Sequence, residues 1–170
     1  MKTGLPAKAE EFERFFEEQF RPVYNYVRFR LGNPEAAEDL TAEIFLRAYL
    51  YWESFSREGN RGAWLRGITR NTLKTHLKRT MRRPHSVELF DSISADVDIE
   101  GDFIRKEDLR LLLSHVARLP DEKQELLAMK YFLRMTNREI AKATGMSESN
   151  TGSTLHRIIT ELRKNFKKNM

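Results

Sequence analysis

The side chains able to do chemistry are arranged in a way that excludes most reaction types. There is no cysteine, and His76, His85, His115 and His156 are scattered, with no metal-ligand spacing and no phosphate-binding glycine loop elsewhere in the chain. The histidines read as surface or helix-packing residues, His156 excepted. No catalytic constellation, cofactor or metal is expected, and an enzyme is the least supported class. What the chain does carry is cations at helical spacing. Arg66, Arg70, Lys74 and Lys78 step by four and are extended by Arg79, Arg82 and Arg83; apart from Glu58, the interval 57–83 holds no acid. Solvated faces usually mix signs, so a face of one sign beside a loop bearing Phe55 suits phosphate contact combined with base stacking. A merely solubilising face is the plainer alternative.

A second polar cluster lies near the carboxy terminus. Thr136 followed three residues later by Glu139 is a capping box, Ile140, Ala141 and Thr144 give a short helix, and Gly145 suits a left-handed stop. Ser147 can start a second helix whose Leu155, Ile158, Ile159 and Leu162 keep one side buried, leaving Ser149, Asn150, Ser153, His156 and Arg157 on or near the open face. Short helix, glycine turn, second helix with polar residues at its start is a helix-turn-helix pattern. A plain corner of a helical bundle fits the local pattern equally well, and the nearby cations favour the nucleic-acid reading.

The elements that must position these residues are all helical. Apolar positions predict helices over 9–31, with Pro22 as a kink or break, from Pro34 through Tyr49, and over 61–83, with a loop at about 53–62 between the last two. Asp39, Glu43 and Arg47 mark one face of the second helix, and Leu40, Ile44, Phe45, Ala48 and Tyr49 its buried face. Trp64, Leu65, Ile68, Leu73 and Leu77 are the core candidates of the third. Beyond Pro84 the stretch 86–102 carries acids without a base and reads as a linker. Helical patterning resumes near Phe103, Pro120 divides it, and a further helix leads into the helix-turn-helix. The expected fold is all-α: two small helical domains, 9–84 and 106–168, joined by an acidic linker at 85–105, the C-terminal domain containing the helix-turn-helix.

At 170 residues with a net charge of +5, the chain can hold two small cores and favours a polyanionic partner. Neither a secretory leader nor an apolar run of about 20 residues is present, so no membrane insertion and a cytoplasmic location are expected.

Taken together, the segments Ala37-Glu38-Asp39-Leu40-Thr41-Ala42-Glu43-Ile44-Phe45-Leu46-Arg47-Ala48-Tyr49, Gly62-Ala63-Trp64-Leu65-Arg66-Gly67-Ile68-Thr69-Arg70-Asn71 and Leu119 through Arg163 resemble, in order and separation, bacterial RNA polymerase sigma factors of the extracytoplasmic-function type. The resemblance covers nearly the whole chain. It implies a non-catalytic factor that binds core RNA polymerase and directs promoter-specific initiation by recognising minus-ten and minus-thirty-five elements. Core polymerase would be met by Asp39, Leu40, Glu43, Ile44 and Arg47. The minus-ten strand would be met by Phe55, Arg61, Trp64, Arg66, Arg70, Asn71, Lys74 and Lys78, with a flipped base received by the loop 54–62. Ser149, Asn150, Gly152, Ser153, His156 and Arg157 would meet the minus-thirty-five element. Promoter DNA and core polymerase are the implied partners, and an anti-sigma factor a possible further one.

The chain departs from the family pattern at Ala42, where relatives often have glutamine, and at Thr151, Gly152 and Thr154, where they usually have valine and two basic residues. Weaker upstream reading, or closer backbone approach to DNA at Gly152, would follow. A repressor that binds its operator alone as a symmetric dimer, and a degenerate relative that only sequesters polymerase, are the competing readings.

Overall fold

The computed structural model describes residues 4–55, 59–80 and 106–168, which form seven α-helices and no strand. The chain divides into two units, Met1–Pro84 and His85–Met170. The expected linker at 85–105 and the cations Arg82 and Arg83 lie outside the described residues.

In the first unit, α1 (Gly4–Leu31) runs unbroken through Pro22, α2 (Pro34–Leu50) packs along it, and α3 (Arg61–Thr80) packs on both. The predicted break at Pro22 does not occur. Proline removes a single amide donor, and Val23, Tyr26 and Val27 immediately after it are buried, so packing carries the helix through. Gly32, at φ 73°, ends α1. Asn33 then caps α2, its Oδ1 accepting from the amide of Ala36 at 2.9 Å, with Pro34 in the first turn. Ala37, Leu40, Thr41, Ile44, Phe45 and Ala48 form the buried side of α2. An aromatic layer continues this core: Phe16 lies edge-on to Phe45 at 4.8 Å, and Phe12 edge-on to Tyr49 and Trp52 at 5.0 and 5.1 Å. Asn60 caps α3 by accepting from the amide of Ala63 at 2.9 Å. The core side of α3 is Leu65, Thr69, Thr72 and Leu73; Trp64, Ile68 and Leu77 are only half-buried.

The second unit holds α4 (Lys106–Ala117), α5 (Asp121–Tyr131), α6 (Asn137–Thr144) and α7 (Glu148–Lys168). Gln124, 2% exposed, sews the α4–α5 corner by donating to the carbonyls of Leu119 at 2.8 Å and Ala117 at 3.3 Å. The capping box forms as the spacing predicts. Thr136 Oγ1 accepts from the amide of Glu139 at 3.2 Å, and Glu139 Oε2 accepts from the amide of Thr136 at 2.8 Å. Gly145 takes the left-handed conformation at φ 75°. Ser147 Oγ then accepts from the amide of Asn150 at 3.1 Å, and α7 buries Thr151, Leu155, Ile158 and Leu162.

Because Thr136 is exposed and satisfies its amide partner through its side chain alone, Thr136→Ala isolates the cap. The expected cost is about 1 kcal/mol, read as a lower midpoint in thermal unfolding without loss of helical signal.

Candidate nucleic-acid interface

Three surfaces carry the residues singled out from the sequence. The first is the outer side of α2. Asp39, Glu43 and Arg47 are exposed, and Arg47 Nη2 pairs with Glu43 Oε1 at 2.6 Å, one turn apart. Leu40 and Ile44 are 4% and 0% exposed, so they cannot touch a partner as expected; they seat α2 on α1 and thereby aim its outer side. The uncovered apolar side chains of this helix are Leu46 and Leu50, 58% and 66% exposed. Positions 39, 43, 46 and 50 recur at helical spacing and share a face with the ion pair. An acidic rim around two uncovered leucines is suited to docking a basic, partly apolar surface.

The second surface is α3 with the connection preceding it. Asn71, Lys74 and Lys78 are exposed at spacings of three and four and are joined by exposed Arg79, whereas Arg66 and Arg70 are half-buried beside them. The cationic stripe is therefore open at its carboxy-terminal half and partly enclosed at its amino-terminal half. Phe55 is not the projecting aromatic that the loop composition suggests. Its ring stacks on Trp64 at 4.9 Å and 28°, and a Cβ on Gly59 would come within 2.5 Å of its Cζ, so a side chain there would displace the ring. Arg61 also turns inward: its guanidinium lies over the Trp52 ring at 4.0 Å and its Nη1 pairs with Glu11 Oε1 at 2.6 Å. Ring and carboxylate together engage its charge within the unit, so Arg61 is not among the open cations of this surface.

The third surface is α7. Ser149, Asn150, Ser153, His156 and Arg157 are all exposed and lie on the side opposite the buried Leu155, Ile158 and Leu162. Gly152 does not lie with them. It is half-buried, and a Cβ there would meet Asn137 Nδ2 at 3.3 Å, while Asn137 Oδ1 accepts from Lys130 Nζ at 2.9 Å. Glycine at this position lets α7 pack closely on the start of α6. Thr151 is fully buried with its hydroxyl donating to the carbonyl of Ser147 at 2.9 Å. It is β-branched and close in shape to the valine of relatives, so that departure is accommodated inside the core. Thr154 makes a link that sequence reasoning missed: its hydroxyl donates to Asn150 Oδ1 at 3.4 Å and accepts from Arg157 Nη2 at 3.2 Å, tying these two exposed side chains together. The i, i+4 and i, i+3 spacings of Asn150, Thr154 and Arg157 were the available signal.

Open amides, hydroxyls and cations at one helix face can hydrogen-bond base edges and phosphates, and the α3 face can hold a phosphate backbone. Among the described residues no group of three or more His, Cys, Asp or Glu could hold a metal ion, and no helix is long and apolar enough to cross a membrane.

The family model of sigma-70 region 2 matches residues 15–83 and that of sigma-70 region 4 matches residues 109–162. The chain is 29% identical over 167 residues to the ECF RNA polymerase sigma factor BldN of Streptomyces coelicolor, covering 96% of this chain and 63% of BldN. It is 26% identical to the RNA polymerase sigma factor YlaC of Bacillus subtilis, covering 94% of each. The fold is that of the sigma factor RpoE solved in complex with the anti-sigma factor NepR from Bartonella quintana, with a TM-score of 0.68, 17% identity, and coverage of 93% of this chain and 98% of that one. With two region models matched in order and relatives aligned along nearly its whole length, the chain belongs to the extracytoplasmic-function group of sigma-70-type RNA polymerase sigma factors.

Proposed function

We propose that this sigma factor acts through three separate contacts. The outer side of α2, with Leu46 and Leu50 between Asp39, Glu43 and Arg47, docks on core RNA polymerase. Asn71, Lys74 and Lys78, flanked by Arg66 and Arg70, hold the non-template strand of the minus-ten element, while Phe55 and Trp64 wall the site that takes a base displaced from the stack. Ser149, Asn150, Ser153, His156 and Arg157 enter the major groove at the minus-thirty-five element. Residues 9–84 thus form the polymerase-docking and strand-holding domain, 106–168 the upstream-reading domain, and 85–105 the connection between them. The role is non-catalytic and cytoplasmic, on promoter DNA and polymerase, and an anti-sigma factor is the further partner expected of the group.

The observation that carries this reading is the coexistence in one chain of an uncovered apolar docking face and two open polar or cationic faces on different units. A self-sufficient operator-binding dimer needs no polymerase-facing surface. The test is binding of the purified chain to bacterial core polymerase, followed by transcription from a promoter library. The expected result is a stable complex that initiates from templates sharing two spaced elements, with affinity falling as salt rises. Absence of a complex, together with unaided binding to a palindromic duplex, would transfer the assignment to a repressor.

A further inference from the structure

The first turns of α1 lie ahead of the region 2 match, which begins at residue 15, yet they make a continuous set of contacts with the connection between α2 and α3. Lys8 Nζ pairs with Glu53 Oε1 at 3.4 Å and lies 5.1 Å from the centre of the Tyr49 ring. One turn on, Phe12 packs edge-on against both Tyr49 and Trp52. Glu11 holds Arg61 at 2.6 Å, and Arg61 in turn covers Trp52 at 4.0 Å. From there the contacts run outward to the strand-facing site: Trp52 neighbours Trp64 at 6.4 Å, Trp64 stacks on Phe55, and Phe55 fills the space that a side chain on Gly59 would need. Both ends of the connection are therefore tied to α1, at Glu53 through Lys8 and at Arg61 through Glu11.

We infer that the amino-terminal turns of α1 are a strap that sets the geometry of the base-accepting site, with Glu11 as its positioning residue. The physical basis is the half-buried location of the ion pair. Arg61 is mostly covered and its charge is compensated on one side by the Trp52 ring and on the other by Glu11, so reversing the carboxylate leaves a covered cation facing a like charge. The guanidinium then leaves the ring, the first residue of α3 moves with it, and Trp64 and Phe55 lose their fixed relation. Asp39, Glu43, Leu46, Arg47 and Leu50 take no part in these contacts, so the effect is expected at the strand.

The inference rests on the base-accepting role proposed above, and the experiment separates the two. The sigma factor bound to core polymerase is titrated with single-stranded minus-ten oligonucleotides carrying an abasic site at each position in turn. For the wild-type chain, one position should cost roughly tenfold in affinity when its base is removed. In Glu11→Arg that single penalty should fall below about twofold, with the remaining positions and the affinity for core polymerase unchanged. Glu11→Gln, which keeps a hydrogen-bond acceptor for Arg61, should retain an intermediate penalty, and it supplies the answer should Glu11→Arg fold poorly. A full position-specific penalty persisting in either variant overturns the strap. Uniform weakening at every position also overturns it, because that marks a general structural role. A wild-type profile with no sensitive position overturns the base-accepting reading itself, and the strap with it.

Discussion

Leu46→Arg will weaken binding to core polymerase by about 2–4 kcal/mol, roughly thirty-fold to a thousand-fold, while leaving thermal unfolding within about 0.5 kcal/mol of the wild type. The two halves of that expectation have separate causes. Leu46 is more than half exposed, so the chain alone loses little by its replacement, and arginine is as good a helix former as leucine. Within a docked complex the same position sits beside Asp39, Glu43 and Leu50, whose composition calls for a basic, partly apolar partner. An added cation there is desolvated, competes with the partner's bases for Asp39 and Glu43, and opposes a partner of like sign. Ile44→Ala provides the contrast. Ile44 is fully buried under the same helix, so its truncation should cost about 2–5 kcal/mol of stability, and polymerase binding would fall only through the folded fraction. Equilibrium unfolding and a core-binding titration on the two variants separate docking from folding.

Asn150→Ala is expected to flatten the preference at one upstream base pair by about 1–3 kcal/mol, a factor of roughly five to a hundred and fifty, without changing the minus-ten preference. Arg157→Ala should lower transcription from upstream-dependent templates by a similar factor. If its contact is a phosphate, it should also reduce the slope of log affinity against log salt by about one. Because Thr154 bridges the two side chains, the double variant should lose less than the sum of the single losses. Transcription from single-base promoter variants at two salt concentrations measures all three quantities. Neither residue contributes to the core, so unfolding midpoints should stay together across the series.

Local chemistry was readable from the sequence wherever a few neighbouring residues decide the outcome. Pro34 at the start of α2, Thr136 with Glu139, and Gly145 each fix a backbone feature within four residues, and each appears as the spacing implies. The open face of α7 was visible because its buried Leu155, Ile158 and Leu162 leave only one place for the polar side chains. The sequence misled where contacts span the chain. Arg61 looks like one more cation of α3, and nothing near it announces Glu11, fifty positions earlier, or the Trp52 ring. Phe55 in a Ser- and Gly-rich stretch looks exposed, and only the approach of Trp64 and Gly59 turns it inward. Leu40 and Ile44 were assigned to both the core and the docking face, and the structure assigns them to the core. Leu46 and Leu50 went unmarked because apolar periodicity treats a leucine as buried by default, and an uncovered one is recognisable only after the helix has been packed. Gly152 could not be interpreted until α7 met Asn137.

On α7 the side chains that face outward and those that hold the helix in place share no member: Ser149, Asn150, Ser153, His156 and Arg157 are exposed, and Thr151, Leu155, Ile158 and Leu162 are buried. With upstream reading on this face, as proposed, mutational drift can rewrite which promoters are served while the folding free energy stays nearly constant. A duplicated copy of such a gene could acquire a new set of targets through surface changes alone, with no compensating repair of the core.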